Sequence, residues 1–151
     1  MINRLKELYL KYKEIINYLI VGGLTTVVSL VTYYACVLTF LDPNNPLQLQ
    51  IANVISWIFA VAFAYVTNRK WVFHSQATGR KEITKEILSF YGCRVATGVV
   101  DWLCMFIFAD LLHMNDLVIK LAANILVIIL NYIASKLWIF RKAPEEKEEG
   151  T

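Results

Sequence analysis

Two stretches without a single Asp, Glu, Lys or Arg, residues 15–41 and 43–68, limit what this chain can fold into. Each exceeds the roughly 20 apolar residues needed to cross the hydrocarbon core of a bilayer. Residues 88–112 and 117–138 form two further apolar spans, which carry charges inside them. With 58% hydrophobic residues in 151, the composition also departs from that of a soluble domain. The pattern predicts an all-α membrane protein with four transmembrane helices, at about residues 15–41, 48–67, 87–112 and 117–138 of a domain covering 15–141. The first run is longer than the about 7 to 15 apolar residues of a signal peptide, and no small-residue cleavage site follows it. It is expected to be retained.

The cations are distributed unevenly along the chain. Arg4, Lys6, Lys11 and Lys13 precede the first span. Arg69, Lys70, Arg80, Lys81 and Lys85 lie between the second and third, and Arg141, Lys142 and Lys147 follow the fourth. The opposite connections, around "DPNNP" and "HMND", contain no Lys or Arg. The positive-inside rule then predicts both termini in the cytoplasm. Beside membrane spans these basic segments read as topology signals and contacts for anionic lipid, not as a nucleic-acid surface. In residues 1–14, Ile2, Leu5, Leu8, Tyr9 and Tyr12 recur at helical spacing among Lys and Glu, which predicts a short amphipathic N-terminal helix at the membrane surface. The tail 142–151, with "EEKEEG", is expected to be disordered and cytoplasmic.

The chain also repeats itself. "NRKWVF" (68–73) and "SKLWIF" (135–140) close two spans with nearly the same word. "KEIINY" (13–18) matches "KEILSF" (85–90) at a shift of 72, and Thr25 meets Thr97 at the same shift. Ala52-Asn53 resembles Ala123-Asn124 at a shift of 71, whereas Tyr65, Trp71 and Phe73 meet Tyr132, Trp138 and Phe140 at 67. The four-residue discrepancy is about one helical turn, so faces stay aligned. Helices 1–2 and 3–4 are therefore two copies of one hairpin, running the same way across the membrane as a parallel repeat. The copies differ in polarity: Gly22 corresponds to Arg94, and Ser29 to Asp101. Gly22, Gly23 and nearby Thr25, Thr26 and Ser29 are expected to allow close helix packing, and they favour self-association into a homo-oligomer.

An Arg or Asp near the centre of a membrane helix costs about 2.5 to 3.5 kcal/mol on insertion scales. Arg94 and Asp101 stand seven residues apart, two turns along nearly the same face. Either they pair with each other, or Arg94 meets an anionic ligand while Asp101 orients it or contacts polar ligand groups. Lys120, Asn124 and Asn131 fall on one stripe of the fourth helix, and Asp116 offers Lys120 a local partner four residues away. Asn53 and Asn68 add polarity to the second helix. A polar path with a cation near each end suits an anionic group moving between leaflets, received by Arg94 inside and by Lys120 outside. His74 and His113 have no nucleophile–base or metal-ligand spacing around them, and Cys36, Cys93 and Cys104 form no CxxC pair. No enzyme activity, metal or cofactor is expected.

These residues resemble the GtrA-like family of small bacterial membrane proteins. The resemblance runs over about residues 15–141 and rests on "NYLIVGGLTT", "NRKWVF", "SFYGCR" and "NYIASKLWIF" in this order. It implies a multi-pass protein of the bacterial cytoplasmic membrane that flips a polyprenyl-phosphate-linked monosaccharide to the outer leaflet. There a membrane glycosyltransferase would use the sugar to decorate teichoic acid, O-antigen or another surface glycan. Carried over, Arg94 and Lys120 handle the lipid phosphate, and Asn68, Asn124, Asn131 and Asp101 hydrogen-bond sugar or phosphate. Arg69, Phe73 and Phe90 line the inner mouth. The chain has no ATP-binding loop, so transport would be facilitated or driven by consumption of the sugar outside. The rival readings are a non-transporting partner of a glycosyltransferase and a small proton-coupled exporter using Asp101.

Overall fold

The computed structural model describes residues 2–141; the acidic tail from 142 onward lies outside the described residues. The described elements are helices: α1 (Ile2–Thr39), α2 (Pro46–Thr67), α3 (Arg80–Cys104) and α4 (Asp116–Ala134), the last three each continued by a π-helical turn. Four of these helices are long and apolar enough to cross a membrane. The chain is a multi-pass membrane protein. Its outer faces are apolar too: Leu30, Val31, Leu38, Phe106, Leu121 and Ile125 are all exposed, as lipid-facing side chains are.

The amphipathic segment at the N-terminus and the first span form one continuous helix. No Pro or Gly interrupts residues 2–21, so nothing breaks the hydrogen-bond ladder there. Ile2, Leu5, Leu8, Tyr9 and Tyr12 are exposed along it. α3 likewise begins in polar sequence, at Arg80, well before its apolar span.

Two compact units make up the chain, one ending at Phe73 and the other beginning at His74. Each is a helical hairpin. In the first, Asn45 caps α2 by accepting from the Leu47 N–H, and Pro46 follows at the first helical position. α2 then buries Ala52, Ser56, Ala60 and Ala64 at intervals of four, and the turn that follows continues the series with Asn68. In the second, Asn115 caps α4 by accepting from the Val118 N–H at 3.2 Å. α4 buries Ile119, Ala123, Asn131 and, in the turn that follows, Ser135. The shift of 67 seen at the helix ends thus carries through the buried stripe, pairing Ala52 with Ile119, Ser56 with Ala123, Ala64 with Asn131 and Asn68 with Ser135.

The duplicated words turn out to be duplicated π-turns, Asn68–Val72 and Ser135–Ile139. Phe73 donates its N–H to the Asn68 carbonyl at 2.9 Å, and Phe140 donates to Ser135 at 3.0 Å. Each such turn holds one residue more than an α-helical turn and rotates whatever follows it. Trp71 and Trp138 face outward, whereas Phe73 and Phe140 are buried. The Phe73 ring lies 6.1 Å from Tyr18, tilted by 56°, and the Phe140 ring lies 5.9 Å from Phe90, tilted by 53°. Tyr18 and Phe90 are themselves 72 apart, so the two halves repeat in their contacts as well as in their spelling.

One expectation does not hold in the described residues. Nothing lies within 4 Å of a Cβ built on Gly22 or Gly23, so α2 does not pack closely against either glycine within the first hairpin. Thr25 and Thr26 turn their hydroxyls back to the carbonyls of Val21 and Gly22, at 2.7 and 3.2 Å. These bonds satisfy the hydroxyls within α1 itself.

Candidate functional site

Three charged residues of the second hairpin, Glu86, Arg94 and Asp101, follow one face of α3. Glu86, Phe90, Arg94, Thr97 and Asp101 are spaced by four, four, three and four, which keeps them on a single helical stripe. Phe90 is 1% exposed and forms the floor of this stripe. The Arg94 guanidinium, half-buried, sits 5.1 Å from the centre of the Phe90 ring. A cation over an aromatic face gains from the ring quadrupole, the more so when partly desolvated. That contact leaves the positive charge without a counter-ion among the described residues.

Asp101 does not supply that counter-ion. Its Oδ2 accepts from Lys120 Nζ at 2.6 Å, an ion pair between α3 and α4. Arg94 and Asp101 are separated by seven residues, about 10 Å along the helix axis, whereas Lys120 comes across from the neighbouring helix. Of the two alternatives for Arg94 and Asp101, mutual pairing is therefore replaced by a Lys120–Asp101 bridge. The Asp116 side chain, the other partner expected for Lys120, lies outside the described residues. Asp101 Oδ1 is buried and has no hydrogen-bond partner among the described residues. Among these residues Arg94 pairs with no carboxylate.

One turn beyond Arg94, Asn131 of α4 is 2% exposed. Its Oδ1 accepts from the Thr97 hydroxyl at 3.1 Å and, more weakly, from Cys93 Sγ at 3.7 Å. Asn124, on the stripe expected to join Lys120 to Asn131, is exposed and takes no part in this network. The six candidates in the second hairpin thus form a Phe90–Arg94 contact, an Asp101–Lys120 pair, an Asn131 cluster and a separate Asn124.

The remaining three candidates belong to the first hairpin, Asn68 and Arg69 in its π-turn and Phe73 directly after it. Asn68 is 1% exposed, and its Oδ1 is buried with no hydrogen-bond partner among the described residues. Arg69 is half-buried, and Phe73 packs on Tyr18. Two residues missed by the sequence reading join the second-hairpin stripe. Thr97 was visible only as a repeat match to Thr25, and its bond to Asn131 is a contact between helices. Glu86 is buried, and the Ser75 hydroxyl donates to its carboxylate. The signal for Glu86 was its spacing of four from Phe90, hidden by its place in a polar helix start. Among the described residues no three His, Cys, Asp or Glu side chains gather in a way that would hold a metal.

A family model described as GtrA/DPMS, transmembrane domain, matches residues 17–140, which include every candidate position above. The chain belongs to this family. A cell wall teichoic acid glycosylation protein, GtcA, of Listeria innocua is 41% identical over 128 residues, covering 85% of this chain and 85% of its own length. The protein of the same name from Listeria monocytogenes serovar 1/2a is 40% identical over 130 residues, again with 85% of each chain covered. The uncharacterized membrane protein YwcD of Bacillus subtilis is 32% identical over 129 residues, covering 85% of this chain and 98% of its own. No solved structure matches the chain significantly. Membership in the GtrA/DPMS family agrees with the resemblance read from the four sequence words, and the bacterial relatives agree with a bacterial membrane.

Proposed function

We propose that this GtrA/DPMS-family protein carries a polyprenyl-phosphate-linked monosaccharide from the cytoplasmic to the outer leaflet, for a glycosyltransferase that decorates teichoic acid or a similar surface polymer. The observation that carries this reading is Arg94: a half-buried guanidinium inside a membrane span, stacked on Phe90 and paired with no described carboxylate. Such a charge is costly in a bilayer unless an anion accompanies it. A lipid phosphate supplies that anion and, through Arg, two parallel charge-assisted hydrogen bonds. Asn131 contributes an amide with unused hydrogen-bonding capacity, and the prenyl tail remains in lipid. The names of the Listeria relatives support the link to teichoic acid glycosylation.

On this reading both termini are cytoplasmic and Lys120 lies towards the outer leaflet. The Asp101–Lys120 pair then keeps Lys120 from holding phosphate permanently, so that the head group is released. The same pair disfavours a proton-coupled exporter, because the carboxylate needed for a cationic drug already has a cation on it. The role is transport without bond chemistry, and the protein acts beside a glycosyltransferase as a supplier. The partner-only reading draws support from the groove along Arg80, Lys81, Thr84, Lys85 and Ser89, a basic surface suited to docking.

Reconstitution decides between them. Purified protein in liposomes is expected to move a fluorescent polyprenyl-phosphate hexose between leaflets, with Arg94→Lys retaining part of the rate and Arg94→Ala losing it. Absence of lipid movement by the wild-type protein, together with full cellular function of Arg94→Ala, would sink the transport reading in favour of the partner role.

A further inference from the structure

The first hairpin has an open groove where the second has its ion pair. Ser29 is matched to Asp101 by the shift of 72, and the shift of 67 that the buried stripe follows sets Asn53 against Lys120, in place of the match to Asn124 at 71 read from the sequence. In the second hairpin these positions meet at 2.6 Å and close the space between the helices. In the first, Ser29 and Asn53 are neutral and short, and they line a groove of about 420 Å³ with Val54, Ser56 and Trp57. That volume falls within the about 300 to 1,000 Å³ of ordinary ligand sites. Asn53, Ser56 and Trp57 stand at i, i+3 and i+4 on α2 and so share one face.

We infer that this groove is a binding site for an uncharged, polyhydroxylated ring, the sugar head of a glycolipid. This rests on the transport reading above for its biological meaning, but not for its chemistry. The Asn53 side chain makes no hydrogen bond among the described residues, although it lies seven residues, about 10 Å, inside a membrane span. An amide left bare in hydrocarbon is unfavourable, so the groove favours an occupant with both donors and acceptors. Sugar hydroxyls offer both. Ser29 and Ser56 add hydroxyls at the rim and floor, and the half-exposed Trp57 indole offers a flat apolar surface for the C–H face of a pyranose. The absence of charge in the lining selects against the phosphate, which has its own cation in Arg94. A lipid acyl chain fits the groove less well, because it leaves the Asn53 amide without a partner, whereas the Ser56 hydroxyl already donates to the Asn53 main-chain carbonyl at 2.9 Å and keeps only acceptor capacity for a ligand.

The test uses the full chain in lipid nanodiscs free of glycoside detergent. The probes are farnesyl glucoside, galactoside and N-acetylglucosaminide, with farnesol as the tail-only control and farnesyl phosphate as the anionic probe. At least one glycoside is expected to bind saturably and more tightly than farnesol. Trp57→Ala and Asn53→Leu should each weaken that binding about tenfold, a difference of about 1.4 kcal/mol. Trp57→Phe, which keeps an aromatic face, should bind nearly as the wild type, and farnesyl phosphate should bind both Trp57 variants, reporting an intact fold. The inference is overturned if no glycoside binds, if the variants bind glycoside as the wild type does, or if farnesol binds equally well with the same dependence on Trp57. Farnesyl phosphate reports separately on the transport reading: glycoside binding without any phosphate binding would remove the role given to Arg94 and leave the groove standing.

Discussion

The two hairpins share a scaffold and differ in charge. Tyr18 on Phe73 repeats as Phe90 on Phe140, and the π-turn before each Phe is the same. On that common frame Gly22 becomes Arg94, Ser29 becomes Asp101, Asn53 becomes Lys120 and Ala64 becomes Asn131. The first hairpin therefore keeps the same frame without counterparts of the Arg94, Asp101 and Lys120 charges or of the Asn131 amide. A structural network would be worth keeping in both copies, whereas a ligand site need be built only once. In lipid the distinction is stronger, because every charge added to a hairpin raises the cost of inserting it.

Converting the second copy back into the first is thus the natural way to break the comparison. Arg94→Gly or Arg94→Ala should have the largest effect, lowering lipid transfer in liposomes by about 100-fold, the scale of one buried phosphate-bound Arg at 2 to 3 kcal/mol. The protein should still fold, and its thermal stability in detergent should stay level or rise, since an unpaired intramembrane charge is gone. A large fall in melting temperature would instead mark Arg94 as a structural residue.

Next comes the ion pair. Lys120→Ala leaves the Asp101 carboxylate in a span with both oxygens uncompensated, and removing one partner of a buried pair costs about 3 to 5 kcal/mol. Lys120 is half-exposed, so the loss should lie below that range, at about 2 kcal/mol. The double change Asp101→Ser with Lys120→Asn recreates the first hairpin and should recover most of that stability without recovering transfer. Melting curves of the single and double variants read the difference. Equal destabilisation by both would mean that the pair contributes favourably on its own account.

Much of this was legible in the sequence. Long apolar runs, two of them free of charge, marked the four spans, and the repeated words located the helix ends, because both signals follow from how lipid treats a backbone and its charges. The π-turns were not legible, since a word such as "NRKWVF" constrains which side chains face lipid but not whether five or four residues separate a carbonyl from its N–H. The Arg94–Asp101 alternative failed for a related reason. Spacing along one helix shows which residues share a face, but the partner of Asp101 came from α4, and no periodicity within α3 encodes where α4 places Lys120. Asn131 was singled out as a polar residue in a span, yet its partners Thr97 and Cys93 belong to another helix. The open space beside Gly22 within its hairpin was not legible, because small residues are as compatible with an exposed face as with a packed one.

Asn131→Ala, which copies Ala64, should have a smaller effect. It removes the acceptor of the Thr97 hydroxyl, but that hydroxyl keeps the main-chain carbonyl of Cys93 at 3.1 Å. Interhelical hydrogen bonds of this kind average about 0.6 kcal/mol in membranes. Stability should therefore fall by less than about 1 kcal/mol, while transfer falls about tenfold if the amide touches the head group. Parallel losses of stability and transfer would reduce Asn131 to a packing role.

The smallest effect, and the sharpest on helix packing, is expected at Gly22. An added methyl meets no atom within 4 Å, so Gly22→Ala carries no steric cost within the described chain. Glycine is about 0.8 to 1.0 kcal/mol worse than alanine inside a helix, so the variant should be neutral or slightly more stable. Gly22→Leu should be tolerated nearly as well if this face of α1 meets only lipid. Thermal melting of the two variants, read together with their size in detergent by light scattering, makes the distinction. Stability maintained by alanine but lost with leucine, alongside a fall in mass, would show that the face visited by Arg94 in the second copy is covered in the first by another molecule of this protein.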